Sequence, residues 1–285
     1  LLVEPGVGSS WKIFNTSYAM YLAVLGSMIH GMTVPGAIEA AQRAKGFNKG
    51  LFEWLRKAPW GNPAFAGMFL SLVMFGFLGG ISGVVMGTEQ INLIIHNTLY
   101  VPRHFHATSV ARTTLAFMAI FSLLVPLIFR REVMFKKIAQ WQPYVFGLGI
   151  AGISLFMMGA GTLGVPRRHW DITFADALSQ FQFSPAAFLM LALNGLSAIV
   201  AAIGGAMYIV VVVCSVFLGR KIGDNEVVQL GPVSGAASAA AVARYGNDGT
   251  LKIPGTVVLV GVFFVSFVLY YFVNWKYLAE VWPLK

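Results

Sequence analysis

Long apolar stretches recur through this chain and leave very few folds open to it. Six of them, at about residues 15–41, 63–86, 104–129, 143–163, 185–218 and 254–274, reach or exceed the roughly 20 residues a helix needs to cross a bilayer. In hydrocarbon every backbone N–H and C=O must find its partner within the protein, so apolar segments of this length fold as helices. The expected class is all-α: a polytopic transmembrane helix bundle of six spans. Only 11% of the 285 residues are charged and 57% are hydrophobic, against about 25% charged in soluble domains. Pro63, Pro185 and Pro254 stand at span starts, where the missing N–H is harmless. Gly31, Pro35 and Gly36 lie within the first span, where a membrane helix tolerates them.

The net charge of +9 follows membrane topology and carries no implication of nucleic acid. The loops after the first, third and fifth spans hold thirteen Lys and Arg, while Lys12, Arg103, Arg167, Arg168, Lys276 and Lys285 fall on the other side. The positive-inside rule makes the first set cytoplasmic, which places both chain ends on the outer side. Cys214 is the single cysteine, so no disulfide forms within the chain, and it reads as helix packing. The chain begins with Leu1 and shows no signal-peptide pattern; it reads as the continuation of something longer.

Chemistry concentrates in residues 96–106, which hold three of the five histidines. His104 and His106 open the third span directly after Pro102 and Arg103. Side chains two apart on an α-helix diverge by about 200°, so this pair serves two metals on opposite sides rather than chelating one. Ionisable groups inside a membrane are usually functional, and axial ligation of haem iron is the commonest use that fits.

The run Asn97-Thr98-Leu99-Tyr100-Val101-Pro102, followed by His104-Phe105-His106, resembles helix ten of subunit I in the haem-copper oxidase superfamily, most closely its B-type, or ba-type, branch. The resemblance implies that His104 is the axial ligand of a high-spin haem, His106 an axial ligand of a low-spin haem, and Phe105 the ring between them. Pro166-Arg167-Arg168 follows one span later, as in the family's loop after helix eleven, which implies that Arg167 and Arg168 bind haem propionates. Arginine suits that task because it meets a carboxylate through two parallel hydrogen bonds. Asp171 and Asp176 resemble the continuation of that motif. His96, eight residues before His104, stands where the ba-type branch has a histidine at a propionate; Asn92 stands where that branch usually has an acid.

Ser27, His30 and Thr33 are spaced by three and share a helix face. The ba-type branch runs its proton path along this helix. Registering from Thr33-Val34 and Glu39 puts these three on the path, with His30 in place of a hydroxyl; registering from Trp11 puts Gly26, Ile29 and Met32 there instead. Polar residues packing between helices is the plainer alternative. Arg103 stands where the family often has a small residue, able to reach a propionate or simply face water. Arg112 lies two turns into the third span and, if buried, needs an acidic partner or a water-filled cavity. The Gly147–Gly152 run matches a dinucleotide fingerprint but sits inside a span with no strand before it, so it reads as small-residue helix packing.

The resemblance covers helices eight to thirteen, the carboxy-terminal half of the family's subunit I. It implies two haems, and an active-site copper whose ligands lie outside this chain. The partners it implies are an amino-terminal half, a copper-bearing or cytochrome subunit II, a cytochrome c-like donor and the lipid of a prokaryotic cytoplasmic membrane. The expected function is the haem-bearing part of a terminal oxidase that passes electrons to dioxygen, coupled to proton translocation. The alternatives are a B-type nitric oxide reductase and, in another class, a non-catalytic membrane scaffold or a transporter with broken helices.

Overall fold

The computed structural model describes residues 6–168, 183–223, 226, 228 and 252–281. These form helices and, among the described residues, no strands. We number the long helices α1 (residues 9–44), α2 (Pro63–Gly87), α3 (Tyr100–Phe129), α4 (Lys136–Thr162), α5 (Pro185–Leu218) and α6 (Pro254–Val281). Short helices Glu53–Arg56 and Glu89–Ile95 lie between α1 and α2 and between α2 and α3. Helices α2 to α5, and Pro254–Val273 of α6, are long and apolar enough to cross a membrane. The first helix is long enough but is not among them. Asn15, Thr16, Ser17, Ser27, His30 and Thr33 dilute its apolar character.

Local chemistry sets the helix starts. The Asn62 side-chain oxygen Oδ1 accepts from Ala64 N–H (2.9 Å) and Phe65 N–H (3.4 Å), capping α2 with Pro63 in its first turn. Helix α3 begins at Tyr100, four residues before the expected start, because Pro102 falls in a first turn that needs no N–H from it. His104 and His106 therefore sit inside α3 rather than at its end. Helix α4 begins at Lys136, which leaves Pro143 in its interior.

Packing centres on α4. Its most apolar window is 56% buried, against 22% for α3 and α5 and 6% for α6. A Cβ on Gly149 would fall on the Ala201 backbone, one on Gly152 on the Ser197 hydroxyl, and one on Gly204 on the Phe146 backbone. The glycine run of α4 is thus the surface against which α5 closes, as small-residue packing requires. Leu115 of α3, Phe146, Ile150 and Ile153 of α4, and Ala201 of α5 form the adjoining apolar core.

The loops separate into two ends of the bundle. At one end Tyr144 Oη donates to Trp60 O (2.8 Å), Glu132 N–H to Arg220 O (3.0 Å) and Ile222 N–H to Arg130 O (2.8 Å). The loop after α1 reaches α4 there, and the described residues of the loops after α3 and α5 pair with each other. At the other end Leu99 N–H donates to Val165 O (2.9 Å) and Arg167 N–H to Asn97 O (2.7 Å). The basic end is clamped by Glu39, which is fully buried. Its carboxylate accepts from Arg43 Nε (2.7 Å), Gly255 N–H (3.0 Å), Thr256 N–H (2.6 Å) and Thr256 Oγ1 (2.7 Å). Glu39 thereby supplies a negative charge to the N-terminus of α6, where the helix dipole favours it.

Candidate functional site

The site is built where two π-helical turns meet. Phe75–Gly80 interrupts α2 and His106–Thr114 interrupts α3; such insertions concentrate at functional places in helices. The two turns pack closely, and a Cβ on Gly79 would stand 2.8 Å from Thr108 Cγ2. His104 lies just before the α3 insertion and turns into α2. Its Nδ1 is 3.1 Å from Gly79 O and 3.0 Å from Ser82 Oγ. A carbonyl only accepts, so Nδ1 carries the proton and the Nε2 lone pair is free. Ser82 fits this assignment, since its own hydroxyl is directed at Leu78 O (2.6 Å) and Gly79 O (2.8 Å). A Cβ on Gly83 would stand 3.0 Å from His104 Cε1, so glycine there leaves the ring its room.

His106 is anchored differently. Its Nδ1 is 3.0 Å from Pro102 O, one turn back in its own helix, and again Nε2 is left free. A backbone carbonyl on one ring nitrogen is the arrangement by which proteins fix a metal-binding imidazole and raise its basicity. Among the described residues no group of three or more His, Cys, Asp or Glu gathers. Each histidine could offer a single imidazole to a separate metal, as an axial ligand of haem iron does. Phe105, between the two, is 56% exposed, with its ring edge-on to His104 at 5.6 Å.

At the loop end, Asn97 adopts a left-handed backbone (φ 61°), which Asn tolerates better than most residues. Its side-chain oxygen accepts from Arg167 Nε (3.1 Å) and Nη2 (2.9 Å). The structure therefore brings Arg167 beside the His96 segment across 70 residues of sequence. The approach depends on Gly161, where a Cβ would fall on the Tyr100 backbone. His96 is half-buried and Arg168 is exposed. The Asn92 side-chain amide donates to Met86 O (2.7 Å), in the last turn of α2. Asp171 and Asp176 lie outside the described residues.

The remaining candidates separate. Ser27 lines a cavity of about 260 Å³ with Gly31, Pro35, Phe75 and Phe263; its hydroxyl donates to Ala23 O (3.2 Å). His30 and Thr33 are exposed, and Thr33 donates to Ile29 O (2.8 Å). The inward stripe of α1 runs through 27, 31 and 35, so the three polar residues do not share one interior channel. Arg112 is exposed, not buried, and lies over the Phe75 ring at 4.0 Å; a ring face takes the place of the acidic partner that burial would have required. Arg103 does not face water and, among the described residues, meets no acceptor. It is fully buried, Nε and both Nη atoms lack a hydrogen-bond partner, and the Tyr100 and Tyr270 rings lie at 5.8 and 5.7 Å. Gly79, Ser82 and Tyr270 escape a linear reading, because nothing near them in sequence marks them as neighbours of His104 or Arg103.

Residues 2–195 match the model of the family described as cytochrome C and quinol oxidase polypeptide I. Cytochrome c oxidase subunit 1 of Thermus thermophilus is 32% identical over 177 residues, covering 61% of this chain and 31% of that protein. Quinol oxidase subunit 1 of Bacillus subtilis is 26% identical over 145 residues, covering 49% of this chain and 22% of the other. A heme-copper terminal oxidase solved as a dimer by cryo-electron microscopy superposes with a TM-score of 0.70 at 26% identity, covering 93% of this chain and 46% of that one. The chain thus spans less than half the length of each of these relatives.

Proposed function

Because this chain belongs to the cytochrome c and quinol oxidase polypeptide I family, we propose that it is the carboxy-terminal, haem-bearing half of subunit I in a B-type terminal oxidase that reduces dioxygen. The observation that carries this reading is the pair of anchored imidazoles. His104 Nδ1 is tied to Gly79 O and Ser82, His106 Nδ1 to Pro102 O, and each leaves Nε2 for iron. In this reading His104 holds the high-spin haem and His106 the low-spin haem, with Phe105 between them. Arg167, fixed by Asn97, takes propionates together with Arg168 and His96. The haems, when bound, supply one-electron chemistry at iron, and this chain's residues hold and orient them. The copper ligands, the second ligand of the low-spin haem and the electron entry come from an amino-terminal half, a subunit II and a cytochrome c-like donor. The bundle sits in a prokaryotic cytoplasmic membrane with the basic loops inside. Ser27, on its cavity wall, is the α1 residue we assign to a proton route; His30 and Thr33 complete that route against the remainder of the subunit. The named relatives are oxidases, which favours dioxygen over nitric oxide.

The test is made in the assembled enzyme. His106→Ala is expected to remove the six-coordinate low-spin haem spectrum, and His104→Ala the high-spin haem with all carbon monoxide binding. Full haem content and unchanged spectra in both variants overturn the ligand assignment. Fast nitric oxide turnover with negligible dioxygen turnover in the parent enzyme overturns the oxidase reading.

A further inference from the structure

Arg103 is the residue whose chemistry the reading above leaves unused. Its guanidinium is charged at every accessible pH. It is 0% exposed, and among the described residues none of its three side-chain nitrogens has a hydrogen-bond acceptor. What surrounds it is aromatic: Tyr100 one turn back on α3, and Tyr270 reaching in from α6, each within 6 Å of the guanidinium carbon. Ring faces attract a cation through their quadrupole but do not cancel its charge. Of the ion pairs among the described residues, none includes Arg103. The positive charge is therefore held in a low-dielectric interior, where its field is weakly screened. Arg103 and His104 are adjacent on α3, with Arg103 packed against Tyr270 of α6 and His104 against Gly79 and Ser82 of α2. His106 is instead anchored on its own helix.

We propose that Arg103 is an electrostatic tuning residue, a fixed and unpaired positive charge that raises the midpoint potential of the haem iron held by His104. The step it acts on is the one-electron reduction of ferric to ferrous iron. One electron arrives from the donor side and the charge at iron falls by one, so a neighbouring cation favours the reduced form. The effect draws electrons towards the haem at His104 from the haem at His106. Arg103 acts through His104 and its haem without touching a reacting atom, and the inference rests on the reading of His104 as that haem's ligand.

The experiment is an optical redox titration of the assembled enzyme, with carbon monoxide used to identify the His104 haem. Arg103→Met removes the charge at similar volume, Arg103→Gln removes it with a polar side chain, and Arg103→Lys keeps it. In Met and Gln the reduced-to-oxidised ratio of the carbon monoxide-binding haem at fixed potential is expected to fall at least about tenfold, which for a one-electron couple is 59 mV. The low-spin haem is expected to move less, and Lys to retain most of the parent potential. Thermal stability in Met is expected to be unchanged or higher, because replacing a buried charge by an apolar group of like volume is often neutral or stabilising. Unchanged potentials in both neutral variants, with the carbon monoxide-binding haem present, overturn the proposal and leave the ligand reading standing. Retention of that haem in His104→Ala overturns the ligand reading, and this inference with it.

Discussion

Arg43 and Arg103 are both buried, at 6% and 0% exposure, yet their surroundings are opposites. Arg43 donates Nε to the Glu39 carboxylate at 2.7 Å, and Nη2 reaches Gly50 O and Leu51 O at 3.0 and 3.4 Å. Its charge is neutralised, and with Glu39 it joins α1, the following loop and the start of α6. Arg103 has two ring faces and, among the described residues, no acceptor. A buried ion is tolerated when its geometry and hydrogen bonds are complete; Arg43 meets that condition, so its role is fully described by the fold. The Arg103 site does not meet it. A fold alone has no use for an uncompensated charge, which is why the redox role is proposed for Arg103 while Arg43 serves helix registry.

The comparison is broken most directly at the satisfied end. Glu39→Ala leaves Arg43 buried without its carboxylate and leaves the first N–H groups of α6 without an acceptor. Removing one member of a buried pair costs about 3–5 kcal/mol, so detergent-solubilised enzyme carrying Glu39→Ala is expected to unfold at markedly lower denaturant. Adding Arg43→Met to that variant is expected to recover part of the loss, since no orphan charge remains. A Glu39→Ala loss of under about 1 kcal/mol, below the cost of removing one member of a buried pair, would show the clamp to be no more than a surface pair.

A second test lies at the opposite end, beside Arg103. Gly161→Ala drives a methyl group into the Tyr100 backbone, and overpacking of this kind costs about 1–3 kcal/mol. Because Tyr100 is also the ring beside Arg103, the same substitution is expected to perturb the carbon monoxide-binding haem spectrum, which Glu39→Ala is not. Equal spectral effects from both variants would remove the distinction between a structural end and a tuned end.

The smallest effect belongs to the exposed counterpart of the Arg43 pair. Arg220 meets Glu132 at 2.8 Å and Glu226 at 2.7 Å, with all three side chains 42–55% exposed. Hydrogen bonds from Arg220 lower both glutamate pKa values from the ordinary 4.5. A lowered carboxylate pKa contributes stability above the unfolded-state value, and that contribution is lost as pH falls through the folded one. Arg220→Ala is therefore expected to change the melting temperature slightly at neutral pH and low salt. The difference should vanish in high salt and below the lowered glutamate values. A difference that persists in high salt would mean that this cluster is not acting through exposed charge.

Much of this was legible in the chain as written. The charge count placed the loops after the third and fifth spans on one side, and their described residues pair through Glu132–Arg220 and Ile222–Arg130 contacts. The spacing of His104 and His106 pointed their side chains apart, and each imidazole has its own backbone partner. The Gly147–Gly152 run reads as packing and packs. Elsewhere linear spacing said less than the packing does. Ser27, His30 and Thr33 share an idealised face, but α1 turns residues 27, 31 and 35 inward. Arg112 lies within an apolar span without being buried.

By itself the sequence marked the apolar helices and singled out His104 and His106 as the candidate imidazoles. These follow from hydropathy, charge and residue type read over one turn or one span. Only the tertiary structure decided what each charged or titratable side chain meets. Glu39 finds Thr256 across 217 residues, Arg167 finds Asn97 across 70, and His104 finds Gly79 across 25. Arg103 is buried because α6 brings Tyr270 over it. The energy of a charge depends on the atoms within a few ångströms, and in a bundle those atoms come from other helices.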